Sequence, residues 1–189
     1  MAKRKYVDGP AMSTDNSDVE SSLEPEFKVL LINRGDAESS PRAEYEVFLN
    51  FRGLDTCLNF IDCLYHAMDG AGIRVFRDDE EIRKGEAIEG KLERAIKIST
   101  ICISIFSKNY TSSVWCLREL AYMMDCKAMI LPIFFDVEPR DVKLKSELYQ
   151  DALQKHEEKL GCEVVQRWKD TLKQVAHMKG WISKIPGKV

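Results

Sequence analysis

An indole and a carboxylate stand four residues apart in the segment Ser113–Leu120, which reads SVWCLREL. In a helix, Trp115 and Glu119 would lie on one face. The segment follows the apolar run Ile101–Phe106, which is typical of a buried strand. A helix that begins after such a strand starts at the carboxyl edge of a parallel sheet, where open α/β sheets bind ligands. An aromatic ring beside an acid suits a flat cationic or ribosyl substrate.

Spacing alone leaves a second interpretation of this pair open. Trp115 would then be an ordinary core anchor, and Glu119 an exposed acid near the positive end of the helix dipole. Cys116 between them is either a packed thiol or a thiol activated by a helix N-terminus.

Composition and charge restrict the class of protein. The chain has 189 residues and 44% hydrophobic content, which fits one domain with a core and a tail. The net charge of −3 lies in residues 1–44, because residues 45–189 carry as many basic as acidic residues. A neutral domain has no general attraction to nucleic acid or to an anionic membrane, so we expect neither as a partner.

Cysteine usage indicates the compartment. No C-x-x-C pair occurs among the six cysteines and the three histidines stand far apart, so we expect no metal site. Cys102 in an apolar strand is typical of a reduced, intracellular protein. The early apolar run Val29–Ile32 is too short for a signal peptide or a membrane span. We expect a cytoplasmic protein, with residues 3–5 (Lys-Arg-Lys) as a short candidate signal for nuclear import.

Strand and helix patterns alternate along most of the chain. The composition of residues 1–43 predicts a disordered tail, residues 44–181 predict the folded domain, and residues 182–189 predict a second tail. The alternation predicts a flavodoxin-like parallel sheet of order 2-1-3-4 with helices on both faces, and leaves a fifth strand open. Pro132 predicts that the fourth strand is an edge strand or contains a bulge. The predicted strands are 45–51, 73–76, 100–106 and 129–135.

A charged segment, Arg77–Ile88, predicts a long exposed loop. Its acidic pair, Asp78 and Asp79, suggests a response regulator, whose fold also uses an acidic pair. That pair would belong at the end of the first strand, where Arg52 and Gly53 stand instead. No Asp ends the third strand as a phosphate acceptor either, so this function is disfavoured.

Four motifs in order resemble a plant TIR domain, the Toll/interleukin-1 receptor type found at the head of plant disease resistance receptors. They are EYEVFLNFRGLDT (44–56), FRDDEEIRKGEAI (76–88), ICISIFSKNYTSSVWCLREL (101–120) and ILPIFFDVEPRDV (130–142). The resemblance covers residues 44–181 and favours the functional interpretation of Trp115 and Glu119. No nucleotide-binding or leucine-rich-repeat motif follows, so we expect a TIR-only protein, a truncated product or a fragment.

The resemblance implies a fold and an activity. The fold is flavodoxin-like, and many plant members cleave NAD at the nicotinamide–ribose bond to make ribosylated nucleotide signals for innate immunity and cell death. NAD would be the substrate, with no cofactor. The catalytic Glu of the family matches Glu119. The implied substrate-binding positions are Trp115, Phe51, Arg52, Gly53 and Cys116, with Asp78, Asp79 and Gly85 in the loop over the pocket.

Alternatives remain for two of these residues and for the whole protein. Arg52 either holds phosphates with nearby backbone N–H groups or is a solvated turn residue. The resemblance also offers Cys116 a role in a second activity, on nucleic acid or cyclic nucleotides. The chain as a whole is an NAD hydrolase or a non-enzymatic adaptor that binds or regulates full-length TIR receptors.

The resemblance further implies self-association through two surfaces. One combines the helix that starts near Asp55 with the helix that holds His156. The other contains Lys179, Gly180 and Trp181. Trp181 is either exposed as an interface anchor or covers the apolar stripe of the last helix.

The sequence departs from the usual family pattern in several places. Asn50 stands where Ser is usual and Cys57 replaces a basic residue, and both touch the edge of the predicted pocket. The segment Ala121–Met129 is shorter than in most relatives, which trims the third helix or its exit. Lys143 and Glu147 replace a common Arg and a common Gly. The last three departures affect surfaces that relatives use for association.

Overall fold

Five parallel strands form the sheet, hydrogen-bonded in the order β2-β1-β3-β4-β5. A computed structural model describes residues 44–53, 58–77 and 88–184. The elements are β1 (Val47–Asn50), α1 (Leu58–Gly70), β2 (Val75–Phe76), α2 (Ile88–Ile98), β3 (Ile101–Phe106), a 3₁₀ turn (Tyr110–Ser112), α3 (Val114–Asp125), β4 (Ile130–Phe135), α4 (Pro139–Val142), α5 (Gln150–Leu160), α6 (Cys162–Val175) and β5 (Trp181–Ser183).

The predicted flavodoxin-like order is confirmed, and β5 is the fifth strand that the sequence left open. β5 pairs with β4 from Ile133↔Trp181 to Phe135↔Ser183, so the sheet continues past residue 181. A strand of three residues is too short to produce a readable apolar pattern.

The prediction of an edge strand or a bulge at Pro132 is wrong. β4 lies between β3 and β5, and it pairs with β3 residue by residue from Ile130 to Phe134. The N–H of Cys102 donates to the carbonyl of Met129 at 2.9 Å, so the odd-numbered residues of β4 bond to β3. Pro132 therefore faces the other side, where pairing with β5 begins only at Ile133. The missing N–H of the proline costs the sheet no hydrogen bond with β3.

Helices cover both faces of the sheet. On one face, Phe48, Cys102 and Phe134 join a buried cluster with residues of α2, α3, α5 and α6. On the other face, the rings of Phe60 in α1 and Phe135 in β4 lie 5.0 Å apart. β3 is buried at all its positions, which explains its continuous apolar sequence.

The prediction that the Cys102 thiol is packed in the core is confirmed, because this residue is fully buried in β3. Burial, with a smaller effect of Cys126, raises the pKa of Cys102 to about 12. The thiol is therefore protonated and a poor nucleophile at neutral pH.

Among the helices of the described residues, none is long and apolar enough to cross a bilayer.

The predicted exposed loop Arg77–Ile88 is wrong at both of its ends. Ile88 already belongs to α2, and Arg77 is buried. The guanidinium of Arg77 pairs with Asp62 at 2.7 Å and lies 5.8 Å and 5.5 Å from the ring centroids of Phe51 and Tyr65. A cation between two aromatic faces is well accommodated away from water. Residues 78–87, the tail 1–43 and the predicted helix start at 55–56 lie outside the described residues.

Arg77→Ala is expected to lower the free energy of unfolding by about 1–3 kcal/mol, because it removes two ring contacts and leaves Asp62 without this partner. The matched control is Arg74→Ala, since Arg74 forms a more exposed ion pair with Glu46. That pair is worth less than about 1 kcal/mol. Urea unfolding of both variants measures the difference, and equal stabilities would contradict a buried role for Arg77.

Candidate functional site

The start of α3 lies at the carboxyl edge of the sheet. β3 ends at Phe106, and the 3₁₀ turn leads to Ser113, whose extended backbone precedes the helix. The Ser113 hydroxyl accepts the backbone N–H of Cys116 at 3.3 Å, which caps the helix. This cap sets the first turns of α3, which carry Trp115 and Glu119, beside the end of β1.

The Glu119 side chain is half-buried and contacts β1. Asn50, the last residue of β1, donates from Nδ2 to Glu119 Oε2 at 2.8 Å. The same nitrogen lies 3.3 Å from the carbonyl oxygen of Cys116. A hydrogen bond to a carboxylate is among the stronger kinds, so the strand end holds the acid in place.

Tyr110 lies on the other side of Asn50 and is fully buried. Its hydroxyl donates to Asn50 Oδ1 and lies 3.2 Å from the Cys116 carbonyl oxygen. Burial raises the pKa of Tyr110 well above its ordinary value, and nearby Cys116, Glu119 and Tyr149 raise it further. Tyr110 is therefore a neutral hydrogen-bond donor at all pH values in which the protein would work.

Trp115 lies one helical turn before Glu119, and 43% of the residue is exposed. The guanidinium carbon of Arg118 lies 5.7 Å from the Trp115 ring centroid, which is a cation–π distance. An exposed indole is uncommon in a core anchor, so the structure does not give Trp115 the environment of the core interpretation.

Cys116 has the environment of a packed thiol. It is buried, and its Sγ donates to the carbonyl oxygen of Phe51 at 3.2 Å. Phe51 is also buried, whereas Arg52 is half-buried and Gly53 is exposed in the turn after β1. The structure thus brings Glu119, Trp115, Cys116 and residues 51–53 to one edge of the sheet. Asp78, Asp79, Gly85, Asp55 and Cys57 lie outside the described residues.

The predicted interface residues have contacts within the domain. His156 is half-buried, with Nε2 2.9 Å from the Thr111 carbonyl oxygen and its ring edge-on to Trp168 at 5.8 Å. Trp181 is half-buried in β5, Lys179 is exposed, and Lys143 caps α4. Their roles in association stay predictions.

Gly180 has a structural reason to be glycine. A Cβ atom at this position would lie 2.4 Å from the carbonyl oxygen of Pro132, closer than real Cβ atoms approach. The chain passes β4 this closely just before β5 begins.

Sequence reasoning missed two residues of this arrangement as site residues, Asn50 and Tyr110. In the sequence, Asn50 stands out only as a departure from the usual Ser, although a polar residue at the end of an apolar strand is itself a signal. Tyr110 gave no signal, because its contact with Asn50 spans 60 residues. Within the described residues, no three His, Cys, Asp or Glu side chains are grouped as metal ligands.

The family model described as "TIR domain" matches residues 44–186. The chain belongs to the TIR domain family. The chain is 41% identical over 150 residues to TMV resistance protein N of Nicotiana glutinosa. This match covers 76% of the chain and 13% of that protein. The match to disease resistance protein RPV1 of Vitis rotundifolia is also 41%, over 148 residues. It covers 76% of the chain and 10% of that relative. The chain therefore spans about a tenth of the length of these resistance proteins.

Two further relatives match the TIR domain over a larger share of their own length. "Probable 2′ cyclic ADP-D-ribose synthase BdTIR" of Brachypodium distachyon is 39% identical over 108 residues, which cover 57% of the chain and 48% of that protein. Among solved structures, the TIR domains of the activated Roq1 resistosome, which directly recognises the pathogen effector XopQ, match with a TM-score of 0.68 and 37% identity. The match covers 73% of this chain and 87% of that one. The TIR domain is thus of the kind found in plant immune receptors.

Proposed function

We propose that this TIR domain cleaves NAD at the bond between nicotinamide and ribose. The observation that carries the proposal is the Glu119 carboxylate, held by Asn50 at 2.8 Å and one helical turn from the exposed indole of Trp115. An anchored acid beside a flat ring suits ribosyl transfer from a cationic nucleotide. The Brachypodium relative, named as a cyclic ADP-D-ribose synthase, supports the same class of chemistry.

The reaction breaks the C1′–N bond of the nicotinamide riboside. The bonding electron pair leaves with the ring nitrogen and neutralises the pyridinium, so the leaving group needs little acid catalysis. Positive charge develops on C1′ and the ribose ring oxygen, and Glu119 stabilises it as a carboxylate does in glycosidases. Water adds to C1′ and releases one proton, which yields ADP-ribose. A hydroxyl group of the substrate that adds in place of water yields a cyclic product.

Trp115 and Arg52 are the residues that we assign to substrate binding. The exposed surface of the indole suits stacking with a flat ring of NAD. Arg52 follows β1 and is half-buried at the same edge of the sheet. A guanidinium can bind a phosphate through two parallel hydrogen bonds. Asp78, Asp79 and Gly85 remain predicted members of the loop over the pocket.

We further propose that activity in plant immune signalling depends on self-association of the TIR domain. The likeness to the TIR domains of a resistosome supports this. The physical reason is that a neighbouring copy can order a loop at the pocket and complete the site. Copies of this chain and other TIR-containing receptors are the proposed protein partners, and NAD is the substrate.

Purified protein incubated with NAD is expected to release nicotinamide with a specific activity that rises with protein concentration, by roughly tenfold across the association range. Chromatography of free nicotinamide over a dilution series measures both effects. No release at the highest concentration would contradict the proposed chemistry and favour the adaptor alternative. A measurable but constant specific activity would contradict only the dependence on self-association.

A further inference from the structure

A chain of hydrogen bonds leads from Tyr110 through Asn50 to Glu119. The Tyr110 hydroxyl donates to Asn50 Oδ1, and Asn50 Nδ2 donates to Glu119 Oε2 at 2.8 Å. Tyr110 and Asn50 are both fully buried. We propose that they are positioning residues, which set the orientation of the Glu119 carboxylate for catalysis. The inference rests on the proposed function of Glu119.

The donors and acceptors of these side chains allow only one direction for the hydrogen bonds from Tyr110 through Asn50 to Glu119. The Asn50 amide has one acceptor oxygen and one donor nitrogen, and a half-turn about its last bond exchanges them. The Tyr110 hydroxyl has one proton, and Asn50 Oδ1 is a nearer acceptor than the Cys116 carbonyl oxygen at 3.2 Å. A proton on the Oδ1 side holds Nδ2 towards the carboxylate. The flipped amide would set its oxygen against Glu119 Oε2, and two acceptors repel each other. Nδ2 also faces the Cys116 carbonyl at 3.3 Å, so both of its protons have acceptors.

The chain works only while Tyr110 keeps its proton. Burial is the main cause that raises the pKa of Tyr110. Among the described residues, Cys116 and Glu119 of α3 and Tyr149 before α5 raise it further, and only the hydrogen bond with Asn50 acts in the opposite direction. Tyr110 is therefore a donor that adds no charge beside Glu119.

Orientation is valuable at this position because the acid stabilises charge that exists only in the transition state. A group that is already aimed at that charge need not reorganise during the reaction. Asn50 ends β1 and Tyr110 lies in the turn after β3, so the two residues connect a side chain of α3 to β1 and to this turn. Small misplacement of a reacting group reduces rates strongly, by about 100-fold for 1 Å.

The test compares Tyr110→Phe with Tyr149→Phe. Tyr149 is also fully buried, and its hydroxyl donates to the Ser107 carbonyl oxygen at 2.7 Å. Tyr149→Phe loses this bond, whereas Tyr110→Phe loses the hydroxyl contacts with Asn50 Oδ1 and the Cys116 carbonyl oxygen. Only Tyr110→Phe therefore removes the donor that faces Asn50 Oδ1. We expect kcat for nicotinamide release to fall about tenfold in Tyr110→Phe with little change in KM, and to stay within about twofold in Tyr149→Phe. Equal kcat values for Tyr110→Phe and the wild type, or equal losses in both variants, would overturn the inference.

A second readout does not need activity. Carbon-13 NMR of the Glu119 side-chain carboxyl follows its titration in the wild type and both variants. Loss of an oriented N–H donor disfavours the carboxylate, so the midpoint is expected to move to higher pH in Tyr110→Phe alone. An unchanged midpoint in Tyr110→Phe would overturn the positioning role, even if the wild type released no nicotinamide. A shifted midpoint with an inactive wild type would show that Tyr110 orients the Glu119 carboxylate, but it would reject the proposed function and with it a role in catalysis.

Discussion

Glu119→Gln is expected to reduce nicotinamide release from NAD by about 100- to 1000-fold, the loss seen when one transition-state-stabilising group is removed. Glutamine has nearly the same shape, and its side-chain oxygen can still accept the hydrogen bond from Asn50 Nδ2. The variant therefore removes the negative charge and little else. Chromatography of nicotinamide at fixed protein concentration measures the rate, and a thermal melt shows whether the fold is kept.

The matched control for this variant is Glu93→Gln, which makes the same change at an exposed position of α2. Its activity is expected to stay within about twofold of the wild type, because isolated surface substitutions have small effects. A folded Glu119→Gln protein that releases nicotinamide as fast as Glu93→Gln does would remove the catalytic assignment.

Gly180→Ala is expected to destabilise the domain by about 1–3 kcal/mol, as overpacking of a dense contact usually does. The added Cβ would lie 2.4 Å from the Pro132 carbonyl oxygen, 2.7 Å from Pro132 Cγ and 2.9 Å from Phe134 Cε2. Two of these atoms belong to a proline in β4, which cannot turn away as a flexible side chain would. The approach of the chain to β4 would have to widen, and β5 would be displaced.

Gly90→Ala is a control for which the expected change in stability has the opposite sign. Gly90 lies in α2, where an added Cβ meets nothing within 4 Å. Alanine there is expected to stabilise the protein by up to about 1 kcal/mol, because glycine is a poor helix former. Urea unfolding at a concentration where the protein is monomeric measures both variants. A Gly180→Ala monomer as stable as the wild-type monomer would leave the predicted interface as the reason for glycine at this position.

The alternation of elements could be predicted from the sequence because it depends on local periodicity. The continuous apolar run Ile101–Phe106 marks a strand that is buried on both faces. Gly70 and Gly72 predict the end of the first helix, which ends at Gly70, and Gly72 has a φ of +77°. The four-residue spacing of Trp115 and Glu119 likewise predicts one helix, and α3 contains both.

Only the tertiary structure determines which side chains from different elements contact each other. No local sequence pattern predicts that Asn50 contacts Glu119, 69 residues away, or that Tyr110 contacts Asn50. The sequence predicts Arg77 as the first residue of a charged loop. In the structure it is buried beside the rings of Phe51 and Tyr65. Periodicity in a sequence records only which face of an element is apolar. The partner of a buried polar group depends on how helices and strands pack, so it follows from the fold as a whole.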